Sequence, residues 1–399
     1  MGKLRSATAV ISAAGALTLA ACGSSGNSGS QSTGTGDPIK IMAFGSLSQP
    51  PFAVPEIKAG AQAAVNRINS EGGIAGRQVT LVTCDDKGNP NGAAACGRQA
   101  VTEHVAAVVG AFTFFGDSIV PLLDKANIPY ILPVANSPSE NTDRVSFPLF
   151  TGATAEVSAY AAATHDGCTK AAVLTSDVAP AHALFTAYQE PVSKKVGVAT
   201  VPVYMPATAT DIGPYIAQAR AAGAKCFSFG TSAQLTSAGL RSLAQSGAHV
   251  LSVSNALALP ESVLGQISSE AEGFLAVSNF YYPSSGKPAA VQLAKDMAAV
   301  DKSAAVDDAS INAYAGVMVF QQAAKNLHDV IGATVLGGLQ GLKTLDVGLF
   351  PPVDMTTLGY IRTLPRVPSS QFIVYVAHNG KYVPSSQPNV DLSKLLAGL

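Results

Sequence analysis

The chain carries a cysteine near its start whose thiol is placed for lipid attachment. Lys3 and Arg5 precede an uncharged apolar stretch, Ala7–Leu19, which two alanines join to Cys22. A positive start, a short apolar segment and a small-residue site are typical of a secretory signal peptide. The residues that end in Cys22 resemble the bacterial lipobox, so we expect cleavage before it and acyl chains on its thiol. An ordinary secretory signal with an incidental cysteine is the alternative.

Four further cysteines suggest disulfide chemistry. They are Cys84, Cys96, Cys168 and Cys226. An even number in an exported chain points to disulfide bonds, and four cysteines allow three pairings. We favour Cys84–Cys96, which brackets one loop, and Cys168–Cys226, which stand near the starts of two predicted strands. Four buried free thiols are the alternative. Because no Cys-x-x-Cys occurs, we expect neither a zinc ribbon nor a thioredoxin-like redox site.

Signatures of catalysis and of cofactor binding are missing from the sequence. It contains no Gly-x-Ser-x-Gly, no His-Glu-x-x-His and no P-loop, and its 6 histidines show no metal-ligand spacing. Only His182 falls in a loop that we expect at a binding cleft. We therefore expect a protein that is not an enzyme and holds no metal or cofactor, with an exported hydrolase as an alternative.

Composition excludes other classes. Hydrophobic residues make up 47% of the chain and charged residues 13%, so large cores can form. Cleavage removes two of the 25 basic residues and none of the 26 acidic ones, leaving a net charge of −3. No basic run could track phosphates, so we expect no nucleic-acid partner. No apolar stretch after the signal is long enough to span a membrane.

Strands and helices alternate along the rest of the chain. The predicted strands of a first series are 39–44, 78–84, 106–110 and 130–133, with helices at 56–70, 93–104 and 118–126. A second series has strands at 170–176, 199–204, 225–230, 250–254 and 273–279, and helices at 155–165, 181–196, 212–222 and 232–246. Helices at 289–299 and 311–327 and strands at 358–362 and 371–377 follow, while 342–357 has no clear pattern. This alternation predicts an α/β fold of two doubly wound, Rossmann-like lobes with parallel sheets.

Two α/β lobes predict a ligand site between them. Ligands of open α/β sheets bind beyond the carboxyl ends of the strands. The loops expected at the cleft are therefore 45–52, 111–117, 134–140, 177–182, 231–234 and 255–259. Aromatic residues crowd several of these loops, and we expect Phe112, Phe114 and Tyr281 to enclose a flat or apolar ligand. The alternative is that alternate residues of each aromatic run belong to the core.

One run of the sequence resembles a known family. Residues 63–86, AAVNRINSEGGIAGRQVTLVTCDD, closely resemble the helix–turn–strand of the leucine/isoleucine/valine-binding proteins, which are type I solute-binding proteins of ABC importers. Further matches are Val108-Val109-Gly110, Ile128-Pro129-Tyr130, PATATD at 206–211 and Ala271-Glu272-Gly273. The resemblance extends from about residue 39 to residue 377.

The resemblance implies the type I periplasmic binding protein fold, with three hinge crossovers between the lobes. We expect a signal peptide at 1–21 and an acylated cysteine with a flexible Ser/Gly linker at 22–37. Lobe one is expected at 38–151 with 281–345, lobe two at 152–280 with 346–385, and a C-terminal tail at 386–399. The lobes of such proteins close over a ligand by hinge motion.

The resemblance also implies a function. We expect a monomeric, extracytoplasmic, lipid-anchored protein that captures a small organic solute and delivers it to the permease subunits of an ABC importer. A ligand-sensing module of a membrane signalling protein is the alternative from another class. The solute is expected to be an amino acid, or an apolar or aromatic carboxylate.

In relatives that bind amino acids, lobe one holds the ligand carboxylate. The corresponding positions here are Phe112–Thr113 and Ala135–Ser137, where Thr113, Asn136 and Ser137 can supply donors. The alternative for each polar side chain is that it stabilises a turn.

In relatives, an aromatic residue and an acid of lobe two hold the ligand ammonium group. The corresponding loops here contain no carboxylate, and Thr231 or Ser232 stands where an aromatic residue is common. Asp177 is the only nearby acid in the loops expected at the cleft, and its alternative role is to cap a helix. We place Asn255 and Leu257 in the loop that covers the ligand. Because a buried ammonium needs an anion, these departures favour an apolar or aromatic carboxylate, or a neutral solute, over ordinary amino acids.

Overall fold

The structure is a computed structural model that describes residues 36–49, 53–206, 208–247, 250–368 and 370–396. The predicted signal peptide, Cys22 and nearly all of the predicted linker lie outside the described residues. None of the helices in the described part of the chain has the length and hydropathy of a membrane span.

Parallel strands form a first sheet, as the alternating pattern predicts. The strands and helices are β1 (Ile39–Gly45), α1 (Glu56–Ser70), β2 (Val79–Asp85), α2 (Pro90–Thr102), β3 (Val108–Phe112), α3 (Gly116–Ala126), β4 (Tyr130–Ile131), α4 (Pro138–Thr142) and β5 (Ser146–Phe147). The strand order is β2-β1-β3-β4-β5, and Ile39 of β1 lies opposite Val79 of β2. The interior strand β1 is buried on both faces except at Lys40, as is typical of parallel sheets covered by helices.

Helix α1 shows why the local pattern predicts the elements well. Its bounds are those that the periodicity predicts, and its apolar residues Ile57, Ala61, Ala64, Val65 and Ile68 are all buried. Apolar side chains at this spacing line one face of a helix, so burying that face stabilises the helix together with the sheet.

The chain then builds a second sheet. Its first elements are α5 (Gly152–His165), β6 (Lys170–Ser176), α6 (Ala179–Leu184), α7 (Glu190–Lys195), β7 (Ala199–Met205), α8 (Gly213–Ala221), β8 (Cys226–Gly230), α9 (Ala233–Gln245), β9 (Leu251–Asn255), α10 (Glu261–Leu264) and β10 (Leu275–Ser278). The elements that follow β10 in the chain are α11 (Pro288–Val300), α12 (Asp308–Ala324), α13 (Gly332–Gly341), β11 (Thr344–Leu345), β12 (Val353–Asp354), β13 (Gln371–His378), β14 (Lys381–Pro384), β15 (Val390–Asp391) and α14 (Leu392–Leu396). The second sheet has the order β14-β13-β10-β9-β8-β6-β7, with β15 paired to β13.

Three crossovers join the two sheets, which confirms the predicted fold class. The chain passes from the first sheet to the second between β5 and α5. It returns after β10, because α11 and α12 pack against α1, and it crosses again before β13 joins β10 in the second sheet.

Some local predictions are wrong or incomplete. Residues 358–362 are not a strand: a 3-10 turn at Met355–Thr357 leads into turns around Gly359, whose positive φ of 87° suits glycine. The helix predicted at 181–196 contains a π-helical turn at Phe185–Gln189, just before Pro191, which has no N–H to donate.

Two C-terminal segments gain structure from distant partners. Within 342–357, β11 and β12 form a short antiparallel pair. Within the segment that we set apart as a tail, β15 pairs with β13 and α14 packs against α5. Neither segment has an internal pattern that would predict its pairing from sequence.

Both favoured disulfide bonds are present. Cys84 at the end of β2 is bonded to Cys96 in α2, and Cys168 before β6 is bonded to Cys226 at the start of β8. The first bond therefore ties a strand to its following helix, and the second ties two neighbouring strands of one sheet.

Removing either disulfide is expected to destabilise the fold. The Cys168–Cys226 bond spans 58 residues and the Cys84–Cys96 bond 12. By the chain-entropy model, replacing a pair by serines should lower the free energy of unfolding by about 4 kcal/mol for the longer loop and about 3 kcal/mol for the shorter. Urea titrations of the two double variants measure both. A wild-type protein whose urea midpoint is unchanged by reductant would contradict this prediction.

Candidate functional site

The loops that follow β1, β3 and β4 meet at one edge of the first sheet, as parallel strands require. The backbone N–H of Ser46 donates to the carbonyl of Phe112 at 3.0 Å, and Phe112 pairs with Val134 in a further bridge. Ala135 forms a bridge with Thr151 at the first crossover. This edge therefore brings together three loops that we expect at the cleft.

A buried carboxylate, Asp86, binds the first two of these loops. Ser46 Oγ donates to Asp86 at 2.8 Å, and Thr113 Oγ1 donates to it at 2.5 Å. Thr113 Oγ1 in turn accepts the N–H of Phe115 at 3.0 Å. Both Asp86 and Thr113 are 0% exposed. The hydroxyl of Thr113 thus stabilises its loop, which is the alternative role that the sequence left open.

A second buried carboxylate, Glu140, organises the loop after β4. Its Oε2 accepts the N–H of Asn136 at 2.9 Å, the N–H of Ser137 at 3.0 Å and the hydroxyl of Ser137 at 2.9 Å. Ser137 also caps α4, so its hydroxyl has a structural role as well. Burial raises the pKa of Glu140 to about 7, and these hydrogen bonds oppose the rise.

Asn136 lies where the loops of the first sheet meet helix α5. Its Nδ2 donates to the carbonyls of Thr113 and Val134 at 3.3 and 3.0 Å. Its Oδ1 lies so close to Gly152, the first residue of α5, that a Cβ at Gly152 would approach it to 2.7 Å. A loop of the first sheet therefore touches the helix that begins the second lobe.

A third buried carboxylate, Glu156, lies one helical turn along α5. Its oxygens accept Ser228 Oγ of β8 at 3.2 Å and the side-chain amide of Asn255, which ends β9. Asn255 Oδ1 also accepts the N–H of Ala258 at 3.1 Å. Burial raises the pKa of Glu156 to about 7, against the hydrogen bonds from Ser228 and Asn255.

The sequence pattern does not single out Glu156, because this residue lies within helix α5 and not in one of the loops after the strands. Those loops contain no carboxylate near Asn255, as expected, but the helix supplies one. The sequence does contain a signal for this residue. Glu156 is the only charged residue of the segment 152–164, GATAEVSAYAAAT, which lacks the charged face that a solvent-exposed helix usually has. A lone acid in such a helix indicates a buried carboxylate with polar partners.

The other polar residues of the predicted second-lobe site lie apart or cap helices. Asp177 pairs with His182 at 2.7 Å on an exposed surface, and β8 lies between β6, which Asp177 follows, and β9, which Asn255 ends. Thr231 Oγ1 lies 3.0 Å from Thr236 Oγ1, and Ser232 Oγ caps α9 by accepting the N–H of Leu235. Their contact with a ligand stays a prediction.

The aromatic residues divide between core and surface. Phe112 is half-buried, and its ring centroid lies 5.4 Å from that of Phe114, which is 48% exposed. In the run 280–282, the two outer residues are buried and only Tyr281 is partly exposed. Leu257 is also half-buried. The outer residues of this run therefore belong to the core, which is the alternative stated above. Apolar surface stays accessible to solvent on Tyr281, Phe112, Phe114 and Leu257.

Two further acids are buried near the second crossover. Asp308 accepts the hydroxyl of Ser278, the last residue of β10, at 2.7 Å, and Asp307 caps α12 by accepting the N–H of Ser310 at 3.0 Å. Burial raises the pKa of each to about 7. Among the described residues, no group of three or more His, Cys, Asp and Glu residues is arranged to hold a metal ion.

Comparison with known proteins agrees with this fold. A family model described as periplasmic binding protein matches residues 39–359. No curated protein sequence matches the chain. A solute-binding protein of an ABC transporter from R. palustris, solved with 4-hydroxybenzoate, is 21% identical with a TM-score of 0.72, over 88% of this chain and 97% of that one.

Two other solved structures share the fold. A fatty acid ABC transporter substrate-binding protein from Thermomonospora curvata is 15% identical with a TM-score of 0.75, over 91% of this chain and 96% of that one. A leucine-, isoleucine-, valine-, threonine- and alanine-binding protein from Brucella ovis, in a closed conformation, is 16% identical with a TM-score of 0.74, over 91% and 97%. At these identities the likeness shows the fold.

Proposed function

The chain belongs to the periplasmic binding protein family, as the resemblance of 63–86 predicted, and from this premise we propose that it is a lipid-anchored receptor for a small organic solute. It binds the solute between its two lobes outside the cytoplasm and delivers it to the permease of an ABC importer. Acyl chains on Cys22 hold it at the membrane, and it acts as a monomer.

One observation carries the proposal. At the first crossover, polar loops from the carboxyl ends of both sheets converge: Asn136 reaches Gly152 from one side, and Glu156 with Asn255 follows on the other. Ligands of α/β proteins bind at such edges. The printed names of related structures, which include 4-hydroxybenzoate, fatty acid and branched-chain amino acids, support a small organic ligand.

Binding is coupled to closure in this proposal. The solute first binds one lobe while the cleft is open. Contacts from the other lobe exist only in the closed form, so they shift the population toward closure by their own free energy. Phe114 and Tyr281, which keep exposed aromatic surface, and Leu257 enclose the apolar part of the solute.

A thermal-shift screen of residues 38–399 tests the proposal. Because the chain has no Trp, an external dye or calorimetry is the readout. The panel holds branched-chain and aromatic amino acids, aromatic and aliphatic carboxylates, amines, amides and sugars. A ligand at 100 times its Kd should add about 2.7 kcal/mol to the free energy of unfolding. A panel without any saturable shift would contradict the proposal.

A pair of exposed apolar residues gives the matched control. Phe114→Ala, next to the start of α3, is expected to weaken the ligand at least several-fold. Ile331→Ala removes a side chain that is 57% exposed, and its neighbour Gly332 packs against Asn127, the residue that caps the opposite end of α3. The control should leave affinity unchanged. Equal loss in both variants would place the ligand outside the proposed cleft.

A further inference from the structure

The donors expected to hold a ligand carboxylate in lobe one are already bonded to carboxylates of this chain. Thr113 Oγ1 donates its one hydrogen to Asp86. The N–H groups of Asn136 and Ser137, and the hydroxyl of Ser137, all donate to Glu140 Oε2. A ligand carboxylate at this position would therefore meet bonded donors with two carboxylates behind them.

These carboxylates have no cation beside them. Asp86 and Glu140 are 0% exposed and Glu156 is 7% exposed. Across the described ranges of the chain, no Lys, Arg or His nitrogen lies within 4.0 Å of any of the three. Carboxylates in a water-poor site repel an anionic ligand and attract a cation, because little solvent screens them.

Two buried polar atoms next to these acids make no hydrogen bond of good geometry with the described residues. They are Glu140 Oε1, which has the Tyr130 hydroxyl beside it, and Tyr160 Oη, which has the Ser228 hydroxyl beside it. Tyr160 lies one helical turn after Glu156 on α5, and its pKa is raised well above its usual value by burial and by the charge of Glu156. On both sides of the first crossover, the site thus has a buried oxygen that can accept a further hydrogen bond. An N–H or ammonium group is the kind of group that donates such a bond.

The two acids lie on either side of one connection. Glu140 accepts the N–H of Asn136, and the Asn136 side chain reaches Gly152. Glu156 follows Gly152 by four residues on α5, about 6 Å along the helix axis. Glu156 also holds the amide of Asn255, which belongs to a loop that we expect at the cleft. In their ionised forms, both carboxylates therefore act on the same region between the lobes.

We propose that the cleft selects a small organic cation, a solute with a protonated amine or a quaternary ammonium group, and that Glu140 and Glu156 set this preference. The inference rests on the proposed function and names the class of its solute. The aromatic face of Phe114 suits the same group, since cations are attracted to aromatic rings. Tyr281 already has such a contact, because Lys287 Nζ lies 5.0 Å from its ring centroid. It replaces our expectation of an apolar or aromatic carboxylate.

Matched ligands that differ in one charged group test the inference. Calorimetric titration compares benzylamine with benzoate, and isoamylamine with 4-methylpentanoate, using leucine and benzyltrimethylammonium as further members. We expect each amine to bind at least tenfold more tightly than its matched acid. Acids that bind as tightly as the amines would overturn the inference and leave the proposed function standing. Absence of binding by every member, and by the sugars and amides of the wider panel, would overturn both.

Two charge-neutralising variants assign the effect. Glu156→Gln keeps the size of the side chain. It should weaken amine binding about tenfold and reduce the ratio of amine affinity to acid affinity. Glu270→Gln makes the same change at a half-buried acid before β10, which accepts the hydroxyl of Ser269 and pairs with Arg241 at 3.9 Å, and it should change neither. Equal effects of both variants would overturn the role of Glu156.

A gain-of-function variant tests Glu140 independently. Glu140→Ala frees the N–H groups of Asn136 and Ser137, so acids should now bind more tightly than they bind the wild type. Circular dichroism and the melting temperature verify folding, and Glu140→Gln serves if the alanine variant does not fold, because it removes the charge alone. A folded variant that still discriminates against acids as the wild type does would overturn the role of Glu140.

Discussion

Replacing Gly60 with alanine is expected to lower the free energy of unfolding by at least about 3 kcal/mol, because no room exists for one methyl group. Gly60 lies in the middle of α1, where the helix crosses α12. A Cβ at this position would lie 2.1 Å from the carbonyl oxygen of Ser310 and 2.8 Å from its carbonyl carbon. Both are backbone atoms of a packed helix, so neither helix can move without disturbing the core of the first lobe.

The same substitution elsewhere separates this clash from any general effect of alanine. Gly337 lies in α13, and a Cβ there would meet nothing within 4 Å. Because alanine favours a helix over glycine, Gly337→Ala should raise the free energy of unfolding by up to about 1 kcal/mol. Urea titrations followed by circular dichroism measure both variants. A Gly60→Ala protein as stable as the wild type would show that α1 and α12 are not in close contact.

The stability of the protein is expected to fall as the pH rises from about 4.5 to about 7. Burial raises the pKa values of Glu140, Glu156, Asp307 and Asp308 to about 7, from ordinary values of 4.5 for Glu and 3.8 for Asp. Between these values the folded chain binds protons that the unfolded chain has lost. Each group therefore lowers the free energy of unfolding by about 1.4 kcal/mol per pH unit in this window, with no further loss above it.

Calorimetry at pH 5, 6, 7 and 8 measures this dependence. Asp308→Asn keeps an acceptor for Ser278 but cannot titrate, so it should flatten the slope between pH 5 and 7. Asp354 is the control, because hydrogen bonds from Thr356 lower its pKa and it titrates below this window. Asp354→Asn should leave the slope as in the wild type. A melting temperature that is flat or rises from pH 5 to 7 would contradict the assignment of these buried acids.

Much of the fold could be predicted from the sequence because the responsible forces are local. The spacing of Ile57, Ala61 and Ile68 indicates one buried face, and this face alone predicts α1. The disulfide pairings follow from the position of each cysteine beside a predicted loop or strand. The order of strands and helices predicts two parallel α/β sheets, and a site at their carboxyl ends follows from geometry common to all such sheets.

The chemistry of the site could not be predicted in the same way. The sequence marks Thr113 and Ser137 as possible donors, but only the folded chain shows that Asp86 and Glu140 already accept their hydrogens. It suggests Asp177 as the acid of lobe two, whereas the structure places Glu156 beside Asn255, 99 residues further along the chain.

By itself, then, the sequence determined the class of this protein. The periodicity of its helices and strands, the positions of its cysteines and its family motif can be read from residues that are near one another in the chain. The tertiary structure alone decided which donors remain available, where buried charge accumulates and which helices touch at Gly60. These properties depend on contacts between residues that are far apart in sequence. The side-chain partners of such contacts are chosen by packing, which no local pattern records.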